Sequence, residues 1–305
     1  MAKGWKGVVE RTLVRTGLVR FVERRRRPAV VVLAYHNIVP VGEKPAGDVS
    51  LHLDQQAFAD QLDWLLEGRR VVALEEAFVQ SEGDEETRVV LTFDDAYQGM
   101  MTAGVEELSK RDLPATVFVP PALLGSTGFW WDLLAPPGEP LDPRVRAHAL
   151  TELSGRTEAI LAWAEAEGLA MQDLPRHTKP VVEAAMDPGR ANGRLRLGAH
   201  SWSHPNLARL SDEEAFEELR ASRDWLAERT DRFTNWLAYP YGLVGDGAQR
   251  AAEMIFDGAL LVAGGPSQRD GRRVGFPYRV PRINVPRGLT IEGLAMRIAG
   301  LLGEH

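Results

Sequence analysis

Two adjacent carboxylates, Asp94 and Asp95, end the apolar run Val89–Phe93 in the stretch VVLTFDDAY. Neighbouring side chains of an extended chain point to opposite sides, so the two acids are expected to have different partners. That division suits hydrolysis, with one carboxylate holding a metal ion and the other moving a proton. The plainer alternative is a strand-end turn, where Asp is common. A second group is His200-Ser201-Trp202-Ser203-His204, followed by Pro205. Two imidazoles four apart can meet one metal ion if the backbone turns between them, and Pro205 discourages a helix there. The alternative is one loop histidine and one at a helix entry. His36 and the tetrapeptide Tyr239-Pro240-Tyr241-Gly242 also stand at the ends of apolar segments.

The elements that must position these groups alternate in type. Val89–Phe93 and Ala29–Tyr35 (AVVVLAY) are continuous apolar runs, which predicts strands buried on both faces, as in a parallel sheet covered by helices. Further strands are predicted at Arg70–Leu74, Ala115–Pro120, Leu195–Ala199, Asn235–Tyr239, Gly258–Val262 and Tyr278–Ile283. Helices are predicted from Asp54 to Glu67, Glu75–Gln80, Gly99–Arg111, Ala248–Phe256 and Thr290–Leu302. Another, to Thr230, starts at the capping box Ser211-Asp212-Glu213-Glu214. Alternation of this kind implies an α/β fold, most simply one barrel of about seven parallel strands. Strand ends then open on one face, gathering the Asp94-Asp95 pair, His200 and His204 into a His₂Asp metal site with a free carboxylate beside it. Residues 125–193 break the rhythm and are read as a solvated helical insertion shaping a cleft, with helices at Arg144–Leu150, Thr151–Glu167 and Thr178–Met186. Its Trp130-Trp131 pair would stack on a sugar ring or serve as core aromatics.

The formal net charge of −7 argues against nucleic acid as a partner. With no cysteine, disulfides and thiolate ligands are excluded, and a metal must be held by His, Asp or Glu. His₂Asp suits a divalent ion, zinc first, with cobalt, nickel or iron as alternatives. Residues 1–28 read as a basic amphipathic helix ahead of a barrel domain over 29–305. No apolar run there reaches the roughly 18 residues a span needs, and no clean secretory signal is present, so a cytoplasmic location is expected. The helix either lies on the inner membrane face as a peripheral contact or packs over one end of the domain.

Three motifs together carry a family resemblance: Thr92-Phe93-Asp94-Asp95, His200-Ser201-x-x-His204 and Tyr239-Pro240-Tyr241-Gly242. They resemble polysaccharide deacetylases, the NodB-homology domain or carbohydrate esterase family 4, over about Ala29 to Arg282. The resemblance implies a distorted (β/α) barrel that removes acetyl groups from N-acetylated sugars with a divalent metal. It implies Asp94 as general base, Asp95, His200 and His204 as metal ligands, and the Tyr241 N–H as oxyanion donor. Substrate contacts are expected from Tyr239, Pro240, Trp130, Trp131 and Trp202.

Three departures qualify the match. Ala96 stands where the family usually has Gly, so positive φ is not expected there. Ala238 replaces a base-orienting Arg, and the late acid histidine is missing, since His305 alone follows His204. Tyr35-His36 and Pro281-Arg282-Ile283 resemble the branch that deacetylates the exopolysaccharide poly-N-acetylglucosamine, which implies His36 as the general acid. The expected substrate is an N-acetylated glycan of the cell envelope or its lipid-linked precursor. The alternatives are a catalytically weak glycan-binding barrel and a metallohydrolase of small cyclic amides.

Overall fold

The computed structural model describes residues 29–79, 87–186, 191–262, 267–268 and 277–301. The expected basic helix over residues 1–28 and the connector 81–86 lie outside the described residues. The strands are β1 (Ala29–Tyr35), β2 (Asn37–Val39), β3 (His52–Asp54), β4 (Arg70–Val71), β5 (Arg88–Phe93) and β6 (Ala115–Val119). They continue with β7 (Leu195–Ala199), β8 (Phe233–Ala238), β9 (Gly258–Leu260), β10 (Ser267–Gln268) and β11 (Ile283–Asn284). The helices are α1 (Gln55–Leu66), α2 (Leu74–Ala77), α3 (Val105–Lys110), α4 (Trp130–Leu133) and α5 (Pro143–Thr151). After them come α6 (Thr157–Ala166), α7 (Asp212–Arg229), α8 (Asp246–Ile255) and α9 (Ile291–Ile298).

The main sheet runs β1-β5-β6-β7-β8-β9, all parallel. Short strands share its edges: β4 pairs with the start of β5, whereas β6 pairs with its end. Likewise β10 runs antiparallel beside Ala29–Val30, and β11 runs parallel beside Leu33–Ala34. Val280 bridges Leu260, so the segment 280–284 spans the gap between the last and first strands. The result is the expected distorted α/β barrel, with β1, β5, β6, β7, β8, β9 and β11 as its wall. The predicted Tyr278–Ile283 strand shrinks to the Val280 bridge and β11, because this seam runs beside two different strands in turn.

Period-two side-chain alternation divides the core. Val30, Val32, Val90, Phe118, Trp236, Ala238, Leu260 and Val280 fill the inside of the curl. Their neighbours Val31, Leu33, Val89, Leu91, Val117 and Leu237 face Phe58, Leu62 and Leu65 of α1 and Leu219 and Leu226 of α7. Both faces of each strand are thus buried, which is why β1, β5 and β6 were legible as uninterrupted apolar runs. Ser211 and Glu214 form the predicted capping box of α7. The predicted helix over 99–111 opens as a π turn, Met100–Gly104, before α3.

The segment 125–193 differs from expectation. Helix Pro143–Thr151 matches the predicted one, but the next starts only at Thr157, after a turn in which Ser154 and Gly155 take positive φ. Over 178–186 a single 3-10 turn, Glu183–Ala185, replaces the predicted helix. Nor is the segment only a solvated layer: Phe129, Trp130, Trp131, Asp132, Ile160, Ala164 and Val181 are buried. Each large apolar side chain so buried contributes about 1.5–3 kcal/mol, so this segment belongs to the barrel's core on one side. Among the described residues no helix is long and apolar enough to cross a membrane.

Candidate active site

The parallel strands carry their following residues to one end. His36 after β1, Asp94 and Asp95 after β5, His200 after β7 and Tyr241 after β8 line one cavity of about 370 Å³. His204, Trp131 and Arg146 line it as well. These strand-end groups, far apart in sequence, therefore meet as the barrel reading requires.

Asp94 and Asp95 have different partners. Asp94 lies on the inward face, two residues beyond Thr92, and is buried. Arg282, itself fully buried, donates to both its oxygens, at 2.8 and 2.7 Å. The same guanidinium donates to Thr92 Oγ1 at 3.1 Å and to the Leu261 carbonyl at 2.7 Å. Burial pushes the Asp94 carboxyl up, but Arg282, His200 and the hydrogen bonds from Arg282 outweigh it, and the pKa falls below the usual carboxylate value. Asp94 is thereby held as an oriented anion.

Asp95 faces the histidines. Its Oδ1 lies 3.4 Å from His200 Nε2 and 3.2 Å from His204 Nε2, while the two nitrogens are 3.1 Å apart. His200 Nδ1 donates to the Ala238 carbonyl at 2.7 Å, which fixes the tautomer that leaves Nε2 as a lone pair toward Asp95. The loop closing this cluster is held in left-handed backbone at Ser201 and His204, with φ of 58 and 61°. Glu218 of α7 accepts from the Trp202 and Ser203 N–H groups, at 3.0 and 2.8 Å, and from Ser203 Oγ. Asp95 Oδ1 has no hydrogen-bond partner although it is buried. Buried polar atoms are otherwise satisfied as a rule. Three electron-pair donors converging within 4.8 Å of one another, one of them an orphaned carboxylate oxygen, are a donor set that fits a cation.

The turn that aims Asp95 also corrects the sequence reading. Asp95 and Ala96 both take positive φ, 72 and 55°, so Ala96 adopts the conformation that Gly would hold more cheaply. Ala96 is fully buried and its carbonyl accepts from Val181 N at 3.0 Å, so surrounding packing imposes the turn. The arginine expected where Ala238 stands is matched by Arg282, which reaches Asp94 from the far end of the chain.

His36 lines the cavity, and its ring has no hydrogen-bond partner among the described residues. Burial lowers its pKa below the usual imidazole value, and nearby Asp95 and Asp94 offset only part of this. Tyr241 also takes positive φ, 58°, and its ring centroid lies 4.5 Å from that of His204. Its hydroxyl accepts from Trp130 Nε1 at 3.0 Å and donates to the His204 carbonyl at 3.2 Å. Of the residues expected to touch substrate, Trp131 lines the cavity. Trp130, Tyr239 and Pro240 are buried behind it, and Tyr239 donates to the Tyr278 carbonyl at 3.1 Å. Trp202 is not among the residues that line the cavity, and its backbone N–H donates to Glu218.

With this geometry in view, the sequence profile of the polysaccharide deacetylase family matches residues 81–255, more than half of the chain. The chain belongs to the polysaccharide deacetylase family. Hydrolysis of the carbon–nitrogen bond of N-acetyl groups is the activity of that family. No curated protein matches the chain in sequence. Among solved structures it resembles the Streptococcus pyogenes deacetylase PplD in complex with acetate, at 18% identity and a TM-score of 0.60, over 90% of this chain and 99% of that one. It also resembles IcaB from Ammonifex degensii, at 19% identity and a TM-score of 0.59, over 89% and 97%. A polysaccharide deacetylase from Bacillus cereus, BC0361, follows at 17% identity and 0.59, over 89% and 69%. These likenesses show a shared deacetylase fold.

Sequence reasoning missed several groups that build the deacetylase site. Arg282 was noticed for its motif but not as the partner of Asp94. Glu218 and Asp48 carried no local signal, since their partners are remote in sequence. Asp132, next to Trp131 in sequence, sits in a buried network: it accepts from Asp48 N and His52 Nε2, both at 2.9 Å, and from Tyr97 Oη at 2.7 Å. Tyr97 in turn accepts from Trp131 Nε1 at 2.8 Å, which anchors the cavity wall. Gly155 lets the insertion approach the histidine loop, since a Cβ there would lie 2.7 Å from Asn206 N.

Proposed function

We propose that this polysaccharide deacetylase removes the acetyl group from amino sugars of an envelope or exopolysaccharide glycan, or of its lipid-linked precursor, with Asp94 as base and His36 as acid. The observation that carries the reading is the convergence of Asp95, whose Oδ1 lacks a partner, with His200 and His204, beside an Asp94 carboxylate that Arg282 orients. Asp95, His200 and His204 would hold the divalent metal, with zinc the first expectation. When bound, such an ion supplies Lewis acidity to the amide carbonyl and to the attacking water. Asp94 accepts the proton from that water as its oxygen bonds to the carbonyl carbon. The Tyr241 N–H, on a backbone held at positive φ, donates to the oxygen that gains charge. His36 then delivers a proton to the nitrogen as the carbon–nitrogen bond breaks, releasing acetate and a free amine.

A non-catalytic glycan-binding barrel rested on Ala96 and Ala238. The first adopts the required turn and the second is matched by Arg282, so neither favours it. The test is acetate release by the metal-loaded chain from chitooligosaccharides and lipid-linked amino sugars. Asp94→Asn is expected to lower kcat by about 10²–10⁴-fold. Undiminished release by that variant would remove Asp94 as base.

A further inference from the structure

An arginine lines the cavity, Arg146, and the deacetylation chemistry does not use its donors. Arg146 stands on α5, one turn before Leu150, and both line the cavity together with Tyr241 and His204. One terminal nitrogen of its guanidinium donates to Asp48 Oδ2, while the side chain stays 35% exposed and that of Asp48 only 1%. Asp48 is otherwise satisfied: its Oδ1 accepts from Ser50 N at 3.1 Å and Ser50 Oγ at 2.6 Å. Its own N–H donates to Asp132 Oδ1 at 2.9 Å. The guanidinium is thus tied at one corner to a buried network, and its remaining N–H groups have no partner among the described residues. Guanidinium carries five donors and no acceptor, so those groups call for oxygen. Asp94 is taken by Arg282 in bidentate fashion and Asp95 faces the histidines, so neither cavity acid competes for Arg146.

We propose that Arg146 is a specificity-determining residue that binds an oxyanion, a carboxylate or phosphate, carried by the acetylated sugar or the unit attached to it. This rests on the deacetylase reading and deepens it. A planar fork held in place by Asp48 matches two oxygens of such a group, whereas a neutral hydroxyl engages only one donor. Substrates would then be acidic glycans or phosphate-linked amino sugars rather than neutral chitin-like chains.

The experiment compares wild type with Arg146→Gln on three substrates: a neutral N-acetylglucosamine oligosaccharide, an oligosaccharide containing N-acetylmuramic acid, and N-acetylglucosamine 1-phosphate. The expected result is a wild-type preference for a charged substrate, expressed in KM, and a fall of about 10–100-fold in the charged-to-neutral ratio of kcat/KM in the variant. The two charged substrates separate carboxylate from phosphate. Arg146→Lys, which keeps the charge without the fork, is expected to recover part of the ratio. A ratio unchanged by Arg146→Gln, or a wild type that favours the neutral substrate, would overturn the proposal. Calorimetric titration with N-acetylglucosamine 1-phosphate keeps it separate from the deacetylase reading. Arginine-dependent binding without turnover of any substrate leaves Arg146 in its role and removes the reaction, and turnover without arginine-dependent binding does the reverse.

Discussion

Asp132 and Asp95 are both buried carboxylates facing imidazoles, and they differ in what is left over. Asp132 accepts from His52, Tyr97 and a backbone N–H, and His52 in turn meets Asn37 Nδ2 at 3.0 Å, so both ring nitrogens and both carboxylate oxygens are engaged. Around Asp95 two imidazole nitrogens crowd to 3.1 Å and the carboxylate oxygen nearest them lacks a donor. Their acidities move oppositely. Burial dominates at Asp132 and raises its pKa despite His52 and Tyr97. At Asp95 burial also pushes upward, but the two histidines more than reverse it. A network that closes on itself holds the structure together, and one that leaves donor atoms over is shaped for something the protein must bind.

Breaking the open cluster is expected to cost function and little stability. Asp95→Asn should bring acetate release to background and abolish the rise in Tm on adding a divalent ion. In metal-free protein its Tm should fall by no more than a few degrees, because loss of the attraction between the carboxylate and the histidines is offset by relief of their crowded lone pairs. A larger fall in the metal-free Tm would erase the contrast.

Arg282→Met probes the cavity acid that is closed by a protein cation buried behind it. Leaving Asp94 buried and unpaired should destabilise the fold by about 3–5 kcal/mol in urea titration, with kcat falling as well. A variant as stable as wild type would show that Arg282 is dispensable to the buried pair.

Breaking the closed cluster is expected to do the reverse of Asp95→Asn. Asp132→Ala orphans Tyr97, His52 and the Asp48 N–H, at a cost of about 3 kcal/mol, while metal uptake per folded molecule is retained. Loss of metal uptake at full stability would show that the two clusters are one.

The smallest expected effect is a control, a carboxylate closed by cations near the surface. Burial raises the Glu107 pKa, but hydrogen bonds from Lys110, Gln55 and Arg111 bring it down to about 2. A depressed carboxylate stabilises the folded state above its unfolded value near 4.5 and loses that contribution as pH falls toward about 2. Glu107→Gln should therefore lower Tm slightly in the neutral region, flatten the acid limb of Tm against pH in that window, and leave turnover unmoved. An acid limb identical to wild type would assign the loss to other carboxylates.

The contrast also marks what was legible in the chain. Strands buried on both faces announce themselves, as Ala29–Tyr35 and Leu195–Ala199 did to the residue. Asp94, Asp95, His200 and His204 were legible because two short motifs hold them. Asp132 was not, since its partners His52, Tyr97 and Asp48 lie 80, 35 and 84 residues away and none of those pairs has a fixed spacing. The turn at Ala96 was misread for a related reason: local propensity disfavours positive φ for Ala, and tertiary packing overrode it. The insertion was read as solvated from its scattered glutamates, which occupy its outer side, while Ile160 and Ala164 face inward.

The seam of the barrel has a temporal consequence. His36 comes from the first strand of the wall, and Arg282 precedes the last, which pairs back onto that first strand at Leu33–Ala34. A ribosome releasing this chain has made the Asp94 carboxylate and both imidazoles long before it makes the arginine that orients that carboxylate. The nascent protein is therefore expected to stay hydrolytically silent until synthesis has passed residue 284 and the ring can shut.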